Sequence, residues 1–169
     1  MSAHETSPLA GLDASLCFAL YSANLACARA LKPMLDELGL THTQWFIVLA
    51  LAEENGQTVT SLGDKLFLDS STLTPVLKKM ERHGIVQRRR SSVDERQVMV
   101  SLTDRGRALG RHNAGRSLAG ATSLSPAEVV RARMSAVRVR DSLLGEFGRK
   151  PVARTKKEAL QKRTDPDAA

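Results

Sequence analysis

The chain is short of the residues that staple or anchor a fold. Of its 169 residues only Cys17 and Cys27 are cysteines, too few for a disulfide framework, and a reducing cytosol would keep both as thiols. Placed on one helix, they would stand ~15 Å apart along its axis, beyond the ~7 Å between Cα atoms that a disulfide can bridge. No apolar run approaches the ~20 residues needed to cross a bilayer. The opening MSAHETSPLAGLD has neither a basic n-region nor an apolar h-region. A cytoplasmic location with no membrane partner is therefore expected. His4, His42, His83 and His112 show no ligand-like spacing with the cysteines, which disfavours a metal site, and no cofactor is expected. Acidic residues are outnumbered too: 18 Asp and Glu against 25 Lys and Arg leave a formal charge of +7. For a soluble chain that excess points to a polyanionic partner, nucleic acid first.

What is present is helical periodicity. Residues 1–11 read as a flexible arm, and from Leu12 apolar side chains return every three or four positions at Leu16, Leu20, Ala23, Cys27, Ala30, Met34 and Leu38. A second stripe of Cys17, Tyr21, Asn24, Ala28, Leu31 and Leu35 lies beside the first. So broad an apolar face implies burial on two sides, against the body and against a second chain. Pro33 lacks an amide donor and should kink this helix or start a new one. Thr41-His-Thr-Gln44 fits a capping box that opens the buried helix WFIVLALAEE, which Gly56 ends. A short helix over about 60–66, the link FLD and a helix from near Ser70 to before Gly84 suggest helix-turn-helix. Two β-prone runs, IVQRRR and QVMVSLT, flank the polar SSVDER and predict a hairpin wing.

From Thr103 the pattern is helical but weak, and Gly106, Gly110, Gly115 and Gly120 predict breaks. Ser125-Pro126-Ala127-Glu128 combines a cap residue, a first-turn proline and a glutamate, so it should start a helix running to about Phe147. Beyond Gly148 the chain is basic, lacks aromatic residues and reads as a disordered tail. The expected class is mainly α with a small β-hairpin wing. Residues 12–147 would form a single domain, with a winged helix-turn-helix over about 41–103 and dimerisation helices over about 12–40 and 104–147. An arm, 1–11, and a basic tail, 148–169, would flank it.

In SSTLTPVLKKMERHG, Leu73, Val76, Leu77 and Met80 fall on one side of a helical wheel, and Ser71, Thr72, Pro75, Lys78, Lys79 and Arg82 on the other. Small and hydroxylated side chains near the helix start permit close approach to a major groove, and cations contact bases and phosphates. A solvated charged face would have the same pattern. The wing favours DNA: Arg88, Arg89 and Arg90 climb one strand, and at the tip Asp94 could hold the Arg96 guanidinium extended for a minor groove. The alternative for Asp94 and Arg96 is a surface ion pair worth under ~1 kcal/mol. The candidate DNA-binding set is Ser70, Ser71, Thr72, Thr74, Pro75, Lys78, Lys79, Arg82, Arg88, Arg90, Asp94 and Arg96.

LFLDSSTLTPVLKKMERHGIVQRRRSSVDERQVMVSLTDRGRAL, residues 66–109, resembles the winged helix-turn-helix of MarR-type bacterial regulators, including the Asp-x-Arg of the wing tip. With LCFALYSANLACARALKPMLDELGLT the likeness is to the OhrR-like, organic-hydroperoxide-sensing branch, over about residues 12–110. The resemblance implies a homodimeric repressor with interlocked terminal helices, each wing and recognition helix contacting half of a palindromic operator in double-stranded DNA. It also implies that Cys17 is the sensing cysteine. Aligned without gaps, Leu31 and His42 stand where peroxide-sensing relatives usually carry tyrosines that reach across the dimer. A C-terminal resolving cysteine, present in some relatives, is missing.

From the residues alone, Cys17 can be core filling, since free cysteine packs as a small hydrophobe. Milder signs point to a sensor: it lies near a helix N-terminus, where the dipole favours the thiolate, with the Tyr21 hydroxyl one turn away, in a chain otherwise poor in cysteine. His42 could donate a hydrogen bond or be a helix-start residue, and Cys27 on the most apolar stripe reads as packing. The redox-sensing candidates are thus Cys17, Tyr21 and His42. Three other functions compete with the hydroperoxide-released repressor. One is a MarR-type repressor released by a small aromatic or phenolic ligand, with Cys17 incidental. The others are a thiol peroxidase and architectural DNA binding by the tail. A regulator and not an enzyme is expected.

Overall fold

The structure, a computed structural model, describes residues 11–92, 94–112 and 120–146. Most of the expected arm, Gly115 and the expected tail lie outside the described residues. After a 3-10 turn at Leu12–Ala14, Ser15 opens helix α1 (Leu16–Leu38) by accepting a hydrogen bond from the Phe18 amide at 3.3 Å. Gly39, at φ 66°, closes it in the left-handed conformation that glycine adopts without strain. The helix does not restart at Pro33, which lies inside it. Losing one intrahelical bond there is offset by the buried Leu31 and Leu35 on either side, which hold this last stretch of α1 against the core.

Thr41 and Gln44 form the expected capping box, the Thr41 amide donating to Gln44 Oε1 at 2.8 Å and the Gln44 amide to Thr41 Oγ1 at 3.4 Å. Helix α2 (His42–Glu53) follows, and Trp45, Ile47, Val48 and Leu51 sink into the centre of the core. Then come β1 (Gln57–Thr58), α3 (Val59–Leu66), α4 (Ser70–Arg82), β2 (Val86–Arg90) and β3 (Val98–Leu102). The sheet is antiparallel with order β1-β3-β2, so the wing hairpin gains a third strand, Gln57 opposite Val100. That strand is two residues long, too short for alternation to reveal it. Gln57 is buried and earns its place by donating to the carbonyls of Ala50 at 3.0 Å and Glu54 at 2.8 Å, closing the C-terminus of α2.

Helix α5 (Asp104–Gly110) begins at Thr103, whose hydroxyl donates to the Gly84 carbonyl at 2.6 Å and accepts from the Gly106 amide at 3.1 Å. Gly106 is not a break. It is buried inside α5, and a Cβ there would meet the Ile85 carbonyl oxygen and the Leu102 side chain at impossible separations. Gly106→Ala should therefore cost about 1–3 kcal/mol through overpacking against backbone that cannot yield. A urea or thermal melt checks this, and an unchanged midpoint would show that the approach is not close.

The chain divides into two compact units, with the boundary between Val130 and Arg131. The second carries most of α6 (Pro126–Glu146). Its expected start is observed: Glu128 Oε2 accepts from the Ser125 hydroxyl at 2.6 Å and the Ser125 amide at 2.8 Å. Those two bonds, the hydroxyl's first, hold the Glu128 carboxyl below the usual carboxylate range. Since folding lowers this pKa, the cap's contribution is present above the unfolded value and is lost as pH falls through the folded one.

Candidate nucleic-acid interface

The turn between α3 and α4 depends on a close backbone crossing. The Leu68 amide donates to the Gly63 carbonyl at 2.9 Å, and a Cβ on Gly63 would stand 2.6 Å from the Leu68 oxygen. Phe67 closes α3 at φ 57°, a left-handed conformation unusual for a non-glycine residue. Lys65 on α3 pairs with Glu53 on α2 at 3.0 Å, fixing the first helix of the motif to the body.

On α4, Leu73, Leu77 and Met80 are fully buried and Val76 is half-buried, as the wheel requires. Ser70, Ser71, Thr72, Pro75, Lys78, Lys79 and Arg82 are exposed on the other side. Thr74 is half-buried, and its hydroxyl is turned inward along the helix to the Ser70 carbonyl at 2.6 Å. Pro75 sits inside the helix rather than at its start, on the exposed face, where it leaves the Ser71 carbonyl without an intrahelical amide. The outward surface is thus hydroxylated at its N-terminal end and cationic towards its C-terminal end.

Two expectations about the wing are corrected. Asp94 does not hold the Arg96 guanidinium in the hydrogen bonds described: Asp94 Oδ1 accepts from the Arg96 backbone amide at 3.0 Å and Oδ2 from Gln97 Nε2 at 3.1 Å. A residue two positions on offers its amide at closer range than its long side chain, so Asp94 shapes the turn and Arg96 stays exposed. Arg88 is not presented to solvent with Arg89 and Arg90. Strand alternation turns it towards α4, and its side chain is 17% exposed. There Glu81 Oε1 accepts from the Arg88 amide at 3.0 Å, and Glu81 Oε2 lies 3.5 Å from Arg88 Nη1. Glu81 was missed in the sequence because one acid among lysines and arginines reads as charge balance. Its only signal is its place in the last turn of α4, facing the strand that follows.

The redox candidates do not assemble within one chain. Cys17 is exposed in the first turn of α1, and Tyr21, 59% exposed, has its ring centroid 6.5 Å from that of Phe18. His42 is the first residue of α2, its ring 5.4 Å from that of Phe46. About 30 Å of helix separates Cys17 from the turn that starts α2. Leu31 belongs to its own chain's core, and Cys27 is half-buried. No helix among the described residues is long and apolar enough to cross a membrane.

Residues 29–111 match the family model described as transcriptional regulator SarA/Rot. Over 98 residues, 58% of this chain, the sequence is 50% identical to the HTH-type transcriptional regulator TtmR of Methylorubrum extorquens, half of whose length is covered. Over the same number of residues it is 45% identical to the organic hydroperoxide resistance transcriptional regulator of Bacillus subtilis, covering 67% of it. The chain therefore spans between half and two thirds of these curated relatives. Among solved structures it is similar to reduced AbfR bound to DNA, a Staphylococcus epidermidis protein, with a TM-score of 0.69 and 31% identity over 78% of this chain and 92% of that one.

Proposed function

The chain belongs to the MarR family of winged helix-turn-helix regulators, in its OhrR/SarZ/AbfR-like redox-sensing branch, and on that premise we propose that it is a cytoplasmic, homodimeric repressor that leaves a palindromic operator when Cys17 is oxidised by an organic hydroperoxide. The observation that carries the reading is the exposed Cys17, set in a run of uncovered apolar side chains at the end of α1 far from α2, in a chain whose α4 turns hydroxyls and cations outward. Leu12, Leu16, Leu20, Tyr21 and Leu25 are all exposed in the single chain, the surface a second copy would cover. Two copies would present two α4 helices and two wings to successive half-sites.

In the sensing step the Cys17 thiolate attacks one oxygen of the hydroperoxide. An S–O bond forms and the O–O bond breaks: the hydroxyl of the hydroperoxide, with its proton, becomes the sulfenic acid of Cys17, and the departing alkoxide takes one proton from water to leave as the alcohol, so sulfur is oxidised and the peroxide is reduced. His42 of the same chain lies beyond about 30 Å of helix, so a hydrogen bond from His42 to this sulfur has to come from the second chain of a dimer. The added oxygen enlarges a helix packed at the seam, and a shift of that helix changes the spacing of the wings from the one the palindrome demands. The decisive experiment is to select a palindromic duplex from a random library and measure binding with and without cumene hydroperoxide, taking the intact mass of each sample. Release without a mass change at Cys17, or oxidation without release, would refute the coupling.

The exposed side chains of α4 and the wing are the proposed DNA contacts. Arg96→Ala should weaken binding to the selected duplex and to random DNA alike, by about ten-fold, and lower the salt slope by about one, while leaving the fold intact. Fluorescence anisotropy at several salt concentrations measures both. An unchanged slope would remove Arg96 from the interface.

A further inference from the structure

We infer that Glu81 and Arg88 form a clamp that positions the wing relative to the recognition helix α4, so that Arg88 sets DNA specificity through geometry rather than by touching DNA. The inference rests on the DNA-binding reading above. Glu81 lies on α4 and Arg88 on β2, with the tight corner His83-Gly84-Ile85 between them. One carboxylate takes both groups of the same arginine: Oε1 receives the backbone amide at 3.0 Å, and Oε2 faces Nη1 at 3.5 Å. A single side-chain ion pair leaves a hinge free to swivel. A carboxylate that also holds the strand's backbone fixes both the distance and the direction of β2 from the helix.

Stability does not explain the choice of arginine. Arg88 Nε is buried with no hydrogen-bond partner among the described residues, so the side chain carries a desolvation cost that an apolar residue of similar length would avoid. A methionine could cover Val100, Arg88's register partner on β3, with no orphaned donor. What a methionine cannot do is hold the Glu81 carboxylate in place while that carboxylate holds the strand. The corner is otherwise braced from the opposite side, where the Thr103 hydroxyl reaches the Gly84 carbonyl at 2.6 Å and Arg105 Nη1 the His83 carbonyl at 3.1 Å. These contacts fix the base of the hairpin, leaving the tilt of its strands to the clamp.

The test uses the full-length protein, the palindromic duplex selected by the parent and a random duplex of equal length, with Glu81→Gln, Arg88→Met and the double variant. A positioning clamp predicts that each single change weakens the selected duplex about ten-fold. The double variant should be no worse than either single one. The Glu81→Gln salt slope and its affinity for random DNA should stay as in the parent. A direct phosphate contact predicts the opposite pattern: Arg88→Met weakens both duplexes and lowers the slope by about one, while Glu81→Gln, which removes a negative charge, binds no worse. That pattern, or additive losses, overturns the clamp. Hydrogen exchange without DNA supplies a second readout, in which Glu81→Met, with no acceptor left for the Arg88 amide, should let that amide exchange faster while β3 exchanges as in the parent. If the Arg88 amide exchanges as in the parent, the clamp is also overturned. Failure of the parent to select any duplex would count against the DNA-binding reading alone, and the exchange result would still decide the clamp.

Discussion

The double substitution Leu16→Glu, Leu20→Glu should turn a dimer into a folded monomer that has lost most of its operator affinity. Leu16 is 58% exposed in the isolated chain and begins α1, where an acidic side chain suits the helix dipole, so the change should not harm the fold of the chain itself. At a seam between two copies the same change buries unpaired carboxylates, each costing on the order of 3–5 kcal/mol, and symmetry doubles the count. Once the copies separate, the second half-site is no longer engaged at the effective concentration that linkage provides. Affinity for the selected palindrome should fall by roughly 10²–10⁴, and the salt slope should fall by about half. Sedimentation velocity and anisotropy on the same samples measure both. A variant that still sediments as a dimer would show that α1 is not the seam, and a parent that sediments as a monomer would remove the premise.

The same helix shows what a sequence makes legible. Period alone marks α1 as apolar around most of its circumference, and the structure buries Leu31 and Leu35 in the chain's own core with Met34 and Leu38 packed against it, while Leu16, Leu20, Tyr21 and Leu25 are left uncovered. The excess was readable because hydrophobic periodicity records every surface a helix buries, whether the partner is the same chain or another. Helix starts were readable for a related reason: capping at Thr41 and Ser125 is a local exchange of bonds over three residues. Long-range choices were not. Strand β1 exists because Gln57 closes α2 and meets Val100, over forty residues on, and Gly106 is buried because Ile85 crosses it. Arg88 and Arg90 look alike in a row of three arginines and share a face of β2, and only the packing of α4 beside that strand separates the half-buried one from the exposed one. Pro33 leaves open a new helix start that does not occur, since a proline's lost hydrogen bond is visible in sequence while the tertiary burial of Leu31 and Leu35 that offsets it is not.

Cys17→Ser should bind the selected duplex like the parent yet stay bound in cumene hydroperoxide, whereas the parent's affinity should fall by about two orders of magnitude, the upper range of allosteric coupling. Serine keeps nearly the volume of cysteine and lacks the polarizable sulfur that attacks a peroxide, so it isolates chemistry from packing. Cys27→Ser should respond like the parent, because Cys27 is half-buried on its own helix and no covalent step requires it. The rate of oxidation should depend on the other chain. His42 lies beyond about 30 Å of helix from Cys17 of its own chain, so any hydrogen bond it gives to the reacting sulfur must cross the seam. A phenol at that place reaches further from the backbone than an imidazole and offers its O–H to the reacting oxygen, so His42→Tyr should speed oxidation of Cys17 in the dimer. In the Leu16→Glu, Leu20→Glu monomer the same His42→Tyr change should leave the oxidation rate untouched. Mass spectrometry of sulfenic acid trapped over time reads both cases. Equal acceleration in monomer and dimer would mean that residue 42 acts on its own chain, contrary to the geometry. If Cys17→Ser leaves DNA as readily as the parent under hydroperoxide, the redox reading fails, and a small ligand bound between helices becomes the effector to seek.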